Sequence, residues 1–346
     1  MWIRQGLSDW LRPASLTAVL AMLGSCESPR QPAATTQDHP AAIPAQAPTT
    51  IPANVSHGEA PLGSDSTPAP IDPHAPPRTG GRLHEVRLQI SHARLNIDGK
   101  TSYDGWTFEG RAPGPVLRVT QNDTVDFTLI NRGPIPHSMD FHAAEIAPSR
   151  YYTNVMPGDS LHYRFVARVP GVFMYHCGTA PVAAHIANGM YGALIVDPST
   201  PRPAADEFVL VQSEFYTAKG ATPTAPLTLD WDKLLSFSPD YVVFNGRSAE
   251  YANHPIKVKT GRLLRLYVVN AGPNRVSSFH VVGAIFERVF QDGFGRPLEG
   301  VQTVSVPVGG AAIFETRLHE DGTYPFVSHA FADATKGAVG VFEAKR

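Results

Sequence analysis

Val125-Asp126-Phe127-Thr128-Leu129-Ile130-Asn131 alternates apolar with polar residues and stops at an asparagine, and Leu264-Arg265-Leu266-Tyr267-Val268-Val269-Asn270 repeats the form. A period of two puts neighbouring side chains on opposite faces of an extended chain, so each stretch reads as a strand with one face on a core. The likeness extends outward on both sides. Gly110-Arg111 leads into the first copy and Gly246-Arg247 into the second. Pro170-Gly171-Val172-Phe173-Met174-Tyr175-His176-Cys177 follows the first, and Asp321-Gly322-Thr323-Tyr324-Pro325-Phe326-Val327-Ser328-His329-Ala330 follows the second. Both copies close on a glycine-containing apolar strand, Gly189-Met190-Tyr191-Gly192-Ala193-Leu194-Ile195-Val196 and Gly337-Ala338-Val339-Gly340-Val341-Phe342. Other short alternating runs, Val86-Arg87-Leu88-Gln89-Ile90 and Tyr163-Arg164-Phe165-Val166, are set off by Gly, Pro, Asn and Asp. Such spacing predicts an all-β chain of two tandem β-sandwich domains, residues 82–198 and 199–346, joined between Asp197 and Asp206. Helical patterns are weak and short, as at residues 182–188. In this alignment His329 matches His176 and Ala330 stands in the place of Cys177, so the second copy is expected to lack a thiolate metal site.

A chain of 346 residues with 42% hydrophobic and only 17% charged can bury sizeable cores, which excludes wholesale disorder. With 29 basic against 31 acidic residues there is no positive field to hold a nucleic-acid backbone, so no nucleic-acid partner is expected. Two cysteines cannot build a disulfide framework, whereas 14 histidines raise the expectation of metal. Near the amino end, Arg4 and Arg12 precede the run Ala14-Ser15-Leu16-Thr17-Ala18-Val19-Leu20-Ala21-Met22-Leu23, too short to span a bilayer and suited to an export signal. Leu23-Gly24-Ser25-Cys26 resembles the lipobox of bacterial lipoproteins, which implies a lipoprotein-type signal over residues 1–26 and lipidation at Cys26. Residues 27–81 are rich in Pro, Ala, Thr and Ser and poor in large apolar side chains. Such a segment cannot offset its chain entropy by burial and reads as a disordered tether. The expected location is the periplasmic side of a membrane, with the folded part held there by a lipid anchor.

Chemistry concentrates in Tyr175-His176-Cys177-Gly178-Thr179-Ala180-Pro181-Val182-Ala183-Ala184-His185-Ile186-Ala187-Asn188-Gly189-Met190. With His137, from Pro136-His137-Ser138-Met139-Asp140-Phe141-His142, this offers two imidazoles, a thiolate and a thioether, a soft set that suits blue copper better than zinc. Strand parity separates His176 from its neighbour Cys177, so the two are expected to serve different metals. One consistent pairing joins His137, Cys177, His185 and Met190 at one centre and His142 with His176 at another, with Asp140 leaning towards the second. A two-histidine site needs a third imidazole, and His329 is the best candidate because the repeat matches it to His176. His162, His254 and His319 read as surface or loop residues.

At these residues the chain resembles the copper-containing nitrite reductases, two-domain members of the cupredoxin and multicopper oxidase group. The likeness covers roughly residues 82–346. It is carried by His137-Ser138-Met139-Asp140-Phe141-His142, by the stretch from His176-Cys177 through His185-Ile186-Ala187-Asn188-Gly189-Met190-Tyr191-Gly192, and by Ser277-Ser278-Phe279-His280-Val281-Val282-Gly283, with a weaker match at Ser328-His329-Ala330-Phe331 and Lys336-Gly337-Ala338. The resemblance implies two cupredoxin-like Greek-key sandwiches and two coppers per subunit. Type 1 copper would take His137, Cys177, His185 and Met190, and type 2 copper would take His142, His176 and His329. In that family the third type 2 histidine comes from a neighbouring subunit of a homotrimer. Asp140 and His280 correspond to the family's acid pair, and Val282 lies over the substrate where isoleucine is more common. The implied activity is reduction of nitrite to nitric oxide with electrons from a small donor protein, a cupredoxin or a c-type cytochrome. The loop Glu145-Ile146-Ala147-Pro148-Ser149-Arg150-Tyr151-Tyr152 departs from the small, Gly-rich stretch common there.

Two rival functions are weighed by the same residues. A laccase-like oxidase builds its trinuclear cluster from His-X-His pairs, and no His-X-His occurs in the chain. A copper-binding electron-transfer protein without turnover would have no use for Asp140, His280 and His329.

Overall fold

Alternation in the sequence becomes alternation of burial in the backbone. In the strand Thr124–Asn131, Val125, Phe127 and Leu129 are buried while Asp126 and Thr128 stay partly exposed. The computed structural model describes residues 69–220, 222, 224–293 and 295–346, so the export signal, Cys26 and the tether up to residue 68 lie outside the described residues.

Four sheets stack face to face. The outer sheet of the first sandwich runs, in spatial order, Ser102–Phe108, Leu83–Asn96, Thr124–Asn131, Ser160–Val166, and its inner sheet runs Leu117–Thr120, Tyr191–Asp197, Gly171–His176, Asp140–Phe141. The second sandwich has an inner six-stranded sheet centred on Asp206–Phe215, Leu263–Gly272 and Ala311–Arg317, and an outer five-stranded sheet containing Val339–Lys345, Gly322–Ser328 and Ser277–Val281. These are the two tandem β-sandwiches that the repeat implies, with the cupredoxin-like architecture that the resemblance implies. The apolar strands of the two inner sheets owe their composition to being covered on both faces. In Tyr191–Asp197, Leu194 and Val196 enter the first sandwich core, while Ala193 and Ile195 pack across the seam on Val209, Val211, Tyr267 and Val269. From the other side, Phe208, Leu210, Leu264, Leu266 and Val268 enter the second core against Phe279, Phe326 and Phe342. Each large apolar side chain among these contributes about 1.5–3 kcal/mol on leaving water, and together they hold the two sandwiches against each other.

Charge reinforces the seam. Arg118 makes a bidentate pair with Asp197, at 2.8 and 3.0 Å, and also meets Glu207 at 2.8 Å. Glu207 in turn accepts from Arg265, which also donates to the buried Glu315 at 2.7 Å. The tether expected to reach Gly81 is ordered at its end, because its carbonyls and amides find partners along this seam. Pro73 O accepts from Val209 N–H, Pro76 O from Arg118, and Ile71 N–H donates to Glu250.

The hydrogen-bond pattern repeats between the sandwiches and corrects one equivalence. Asp140 pairs with His176, and His142 N–H donates to Met174 O. In the second copy His280 pairs with Val327, and Val282 N–H donates to Pro325 O. Cys177 N–H donates to Met190 O, as Ser328 N–H donates to Ala338 O. Register therefore equates Cys177 with Ser328 and His176 with Val327, not with Ala330 and His329. His329 occupies the place of Gly178, two residues from where the sequence alignment put it. The error came from aligning the histidines, although counting from Gly171 and Gly322 gives the observed register. Loss of a thiolate in the second copy stands, with serine rather than alanine in its place.

Candidate metal centres

Each residue of the first centre is placed by a different element. Asn131, at the end of its strand, shapes the loop that carries His137: its amide donates to Ile135 O and Val155 O at 2.8 and 2.9 Å and its carbonyl accepts from Gly133 N–H at 2.8 Å. His137 N–H and C=O are both bonded to Val155. Cys177 directly follows the strand Gly171–His176, His185 lies on the short helix Val182–Ala187, and Met190 follows Gly189, whose φ of +115° reverses the chain. His137 Nδ1 and His185 Nδ1 stand 3.1 Å apart, and Cys177 Sγ lies 3.2 Å from the latter and 3.8 Å from the former. All four side chains are buried, and Met190 packs in the same apolar cluster as Cys177. Trp106 closes the site with its ring edge-on to His185 at 4.8 Å, and His92 stacks on Trp106.

Electrostatics suits this centre to a soft metal. Burial, then the neighbouring imidazoles, pulls His137 down to about 3, and burial with His92 pulls His185 down to about 4, so both rings are neutral with free lone pairs. Burial pushes the Cys177 thiol up, against the hydrogen bond from Ser138 N–H at 3.3 Å, so a bound metal must displace its proton. Two ring nitrogens, a sulfur that becomes thiolate and a thioether in a dry pocket fit copper.

The second centre gathers Asp140, His142 and His176. His176 Nδ1 is bonded to Cys177 O at 2.8 Å, which assigns the proton to Nδ1 and leaves the Nε2 lone pair facing His142 Nε2 at 3.1 Å. Asp140 Oδ2 lies 3.8 Å from the same Nε2. Desolvation and the adjacent His176 hold His142 below the usual histidine pKa. Two convergent imidazoles beside a carboxylate make an open site, one that can take further ligands. The consecutive residues His176 and Cys177 thus face two different clusters.

No histidine of the second sandwich joins the Asp140, His142 and His176 group among the described residues. His280 and His329 instead face each other, ring centroids 4.9 Å apart, on the second sandwich. His280 Nδ1 is bonded to Gln302 O at 2.6 Å, His329 N–H donates to Ser278 O, and Val282 beside them is exposed. His162 and His254 pair with Asp126 and Glu250, and His319 is exposed. Sequence reasoning missed Asn131, Ser138 and Tyr151, whose hydroxyl donates to Asp140 Oδ1 at 3.1 Å. Asn131 had a signal, since Asn270 repeats it and makes the same bonds, to Arg275 O, Val306 O and Gly272 N–H.

The multicopper oxidase family model matches residues 89–201. A copper-containing nitrite reductase of Neisseria gonorrhoeae is 40% identical over 292 residues, covering 82% of this chain and 74% of that protein. Among solved structures, a copper nitrite reductase of Nitrosomonas europaea superposes with a TM-score of 0.71 at 37% identity, over 76% of this chain and 94% of that one. A copper-containing nitrite reductase of Thermus scotoductus gives 0.69 at 33% identity, over 76% of this chain and 62% of that one.

Proposed function

The chain belongs to the copper-containing nitrite reductase family, and from that membership we propose that it reduces nitrite to nitric oxide, NO2⁻ + e⁻ + 2H⁺ giving NO and H2O. The observation that carries this reading is the divergence of neighbours: Cys177 Sγ meets His137 and His185, while His176 Nε2 meets His142. Copper, when bound, supplies one-electron chemistry at His137, Cys177, His185 and Met190 and a Lewis acid at His142, His176 and His329. His329 comes from a neighbouring subunit of a homotrimer, a reading supported by the group of Asp140, His142 and His176 including no histidine of its own second sandwich among the described residues. One peptide unit, from Cys177 to His176, joins the two centres and gives an electron from a cupredoxin or c-type cytochrome a covalent path between them.

Asp140 gives a proton to the nitrite oxygen that leaves as water, and His280 supplies or relays the second. The bond from His280 Nδ1 to Gln302 O leaves Nε2 free for that exchange. Val282 lines the substrate side and limits how nitrite can turn. Cys26 carries the lipid that keeps the enzyme on the periplasmic side of its membrane. The test is a nitrite assay with a reduced donor that follows nitric oxide, on protein whose coppers have been counted by EPR. Nitric oxide from protein with two coppers is expected, and two coppers without nitric oxide would overturn the reading.

A further inference from the structure

The loop that departs from its family's pattern brings two tyrosines against the second centre. Pro148 opens a single turn, Pro148–Arg150, whose first carbonyl accepts from both Tyr151 N–H and Tyr152 N–H. The two rings stand nearly perpendicular, with centroids 6.5 Å apart. Tyr152 lies over Gly178, where a Cβ would stand 1.9 Å from its hydroxyl, so only glycine there leaves room for the ring. Tyr151 goes inward, is almost fully buried, and packs against Tyr163 with centroids 4.8 Å apart. Its hydroxyl donates to Asp140 Oδ1 at 3.1 Å.

That is the one side-chain hydrogen bond to Asp140 among the described residues, and the other oxygen, Oδ2, is the one 3.8 Å from His176 Nε2. The last torsion of an aspartate is broad, so its rotamer alone does not decide which oxygen faces the metal-binding side. We propose that Tyr151 is a positioning residue for Asp140: by holding Oδ1 it keeps Oδ2 turned towards bound nitrite. The proposal rests on Asp140 being the proton donor. Tyr151 stays a donor throughout the working pH range, because burial and the carboxylate push it up to about 12. Its backing by Tyr163 fixes the ring, so the hydroxyl cannot follow the carboxylate if that turns away.

A double-mutant cycle on the copper-loaded protein tests this, with Tyr151→Phe, Asp140→Asn and the pair together. Tyr151→Phe keeps the ring packing and removes one hydrogen bond to a carboxylate, which is expected to lower kcat about tenfold. KM for nitrite, copper content and the visible spectrum are expected to stay as in the unchanged protein. In the Asp140→Asn background the same change should cost nothing further, because the group it positions is gone. If Asp140→Asn leaves turnover intact, Asp140 leaves the mechanism and the proposal goes with it. If Asp140→Asn is crippling but Tyr151→Phe is as active as the parent, or the two losses multiply, Asp140 keeps its role and the positioning role of Tyr151 is refuted. Tyr151→Leu separates packing from hydrogen bonding: loss of turnover there with none in Tyr151→Phe assigns Tyr151 to packing and sinks the proposal.

Discussion

Changing Cys177 to Ser should empty the first copper centre while leaving the fold almost untouched. The second sandwich already contains the control. Ser328 occupies the register of Cys177, is equally buried, and accepts from Ser278 N–H at 3.3 Å, where Cys177 Sγ accepts from Ser138 N–H at 3.3 Å. A buried hydroxyl left without partners costs about 1–3 kcal/mol, but here Ser138 N–H can donate to it and His185 Nδ1, 3.2 Å from the sulfur, can accept from it. With both capacities met, the net change in the metal-free protein is expected to be about 1 kcal/mol or less. The loss to the copper site is total by comparison, since a neutral hydroxyl cannot replace a thiolate as a soft ligand. Urea denaturation of the metal-free proteins should give nearly coincident midpoints. The loaded variant should hold one copper per chain instead of two, lose its visible absorption and fail to reduce nitrite from a protein donor. A loss of more than about 3 kcal/mol in the metal-free form would refute the equivalence with Ser328, and retention of both coppers with the colour would refute the ligand assignment.

Asn131→Ala removes three hydrogen bonds and leaves Gly133 N–H and Ile135 O without the amide that held them, while Val155 O keeps only the bond from His137 N–H, so it should cost about 2–4 kcal/mol in urea and weaken copper at the first centre more than at the second, as EPR can separate. Gly246 has φ of +81° and a Cβ there would sit 1.9 Å from Ala112 O across the seam, whereas Gly110 has φ of +70° with open space around it. Calorimetry should therefore show Gly246→Ala more destabilising than Gly110→Ala, the latter losing only about 1–2 kcal/mol of left-handed backbone strain. Burial pushes the Glu207 carboxyl up, but Arg265 and Arg118 outweigh it and hold the pKa below the ordinary value. A depressed carboxylate contributes stability above its unfolded pKa and loses it as pH falls through the folded one. Glu207→Gln should accordingly be about 3 kcal/mol less stable at pH 7, with the gap closing as pH falls below about 4; a gap independent of pH would contradict the ion-pair account.

Strand positions and two sandwiches were legible because period-two alternation is imposed by the same burial that the structure shows at Val125, Phe127 and Leu129. Separation of His176 from Cys177 followed from parity alone. Register in the second copy was not legible from matched histidines, because a histidine can move two places along a strand and keep its face. Ser328 shares no chemistry with Cys177 that would mark it as the equivalent, and the bonds from Ser278 N–H to its hydroxyl and from its own N–H to Ala338 O reveal the match that counting from the glycines also gives. Tyr151 lay in a loop whose path depends on Pro148 and on the space above Gly178, neither of which alternation reports.

The corrected register bears on why the proposed acid pair is one aspartate and one histidine. Asp140 and His280 occupy the same place in the two copies, each beside the strand that leads to Cys177 or Ser328. In the proposed ring, the face of the first sandwich with His142 and His176 meets the next subunit's face with His280 and His329. That second face is apolar around its histidines, with Val282 45% and Phe331 70% exposed, which a monomer would leave in water and a neighbour would cover. Two faces built on one hydrogen-bond pattern then oppose like positions across a substrate. With the backbone positions equivalent, chemistry must be divided by the side chains and their supports. Tyr151 donates to Asp140 and favours a carboxylate, while Gln302 O binds His280 at Nδ1 and favours an imidazole with its far nitrogen free. The proposed acid pair is thus one structural position used twice, differentiated by one hydroxyl donor and one carbonyl acceptor.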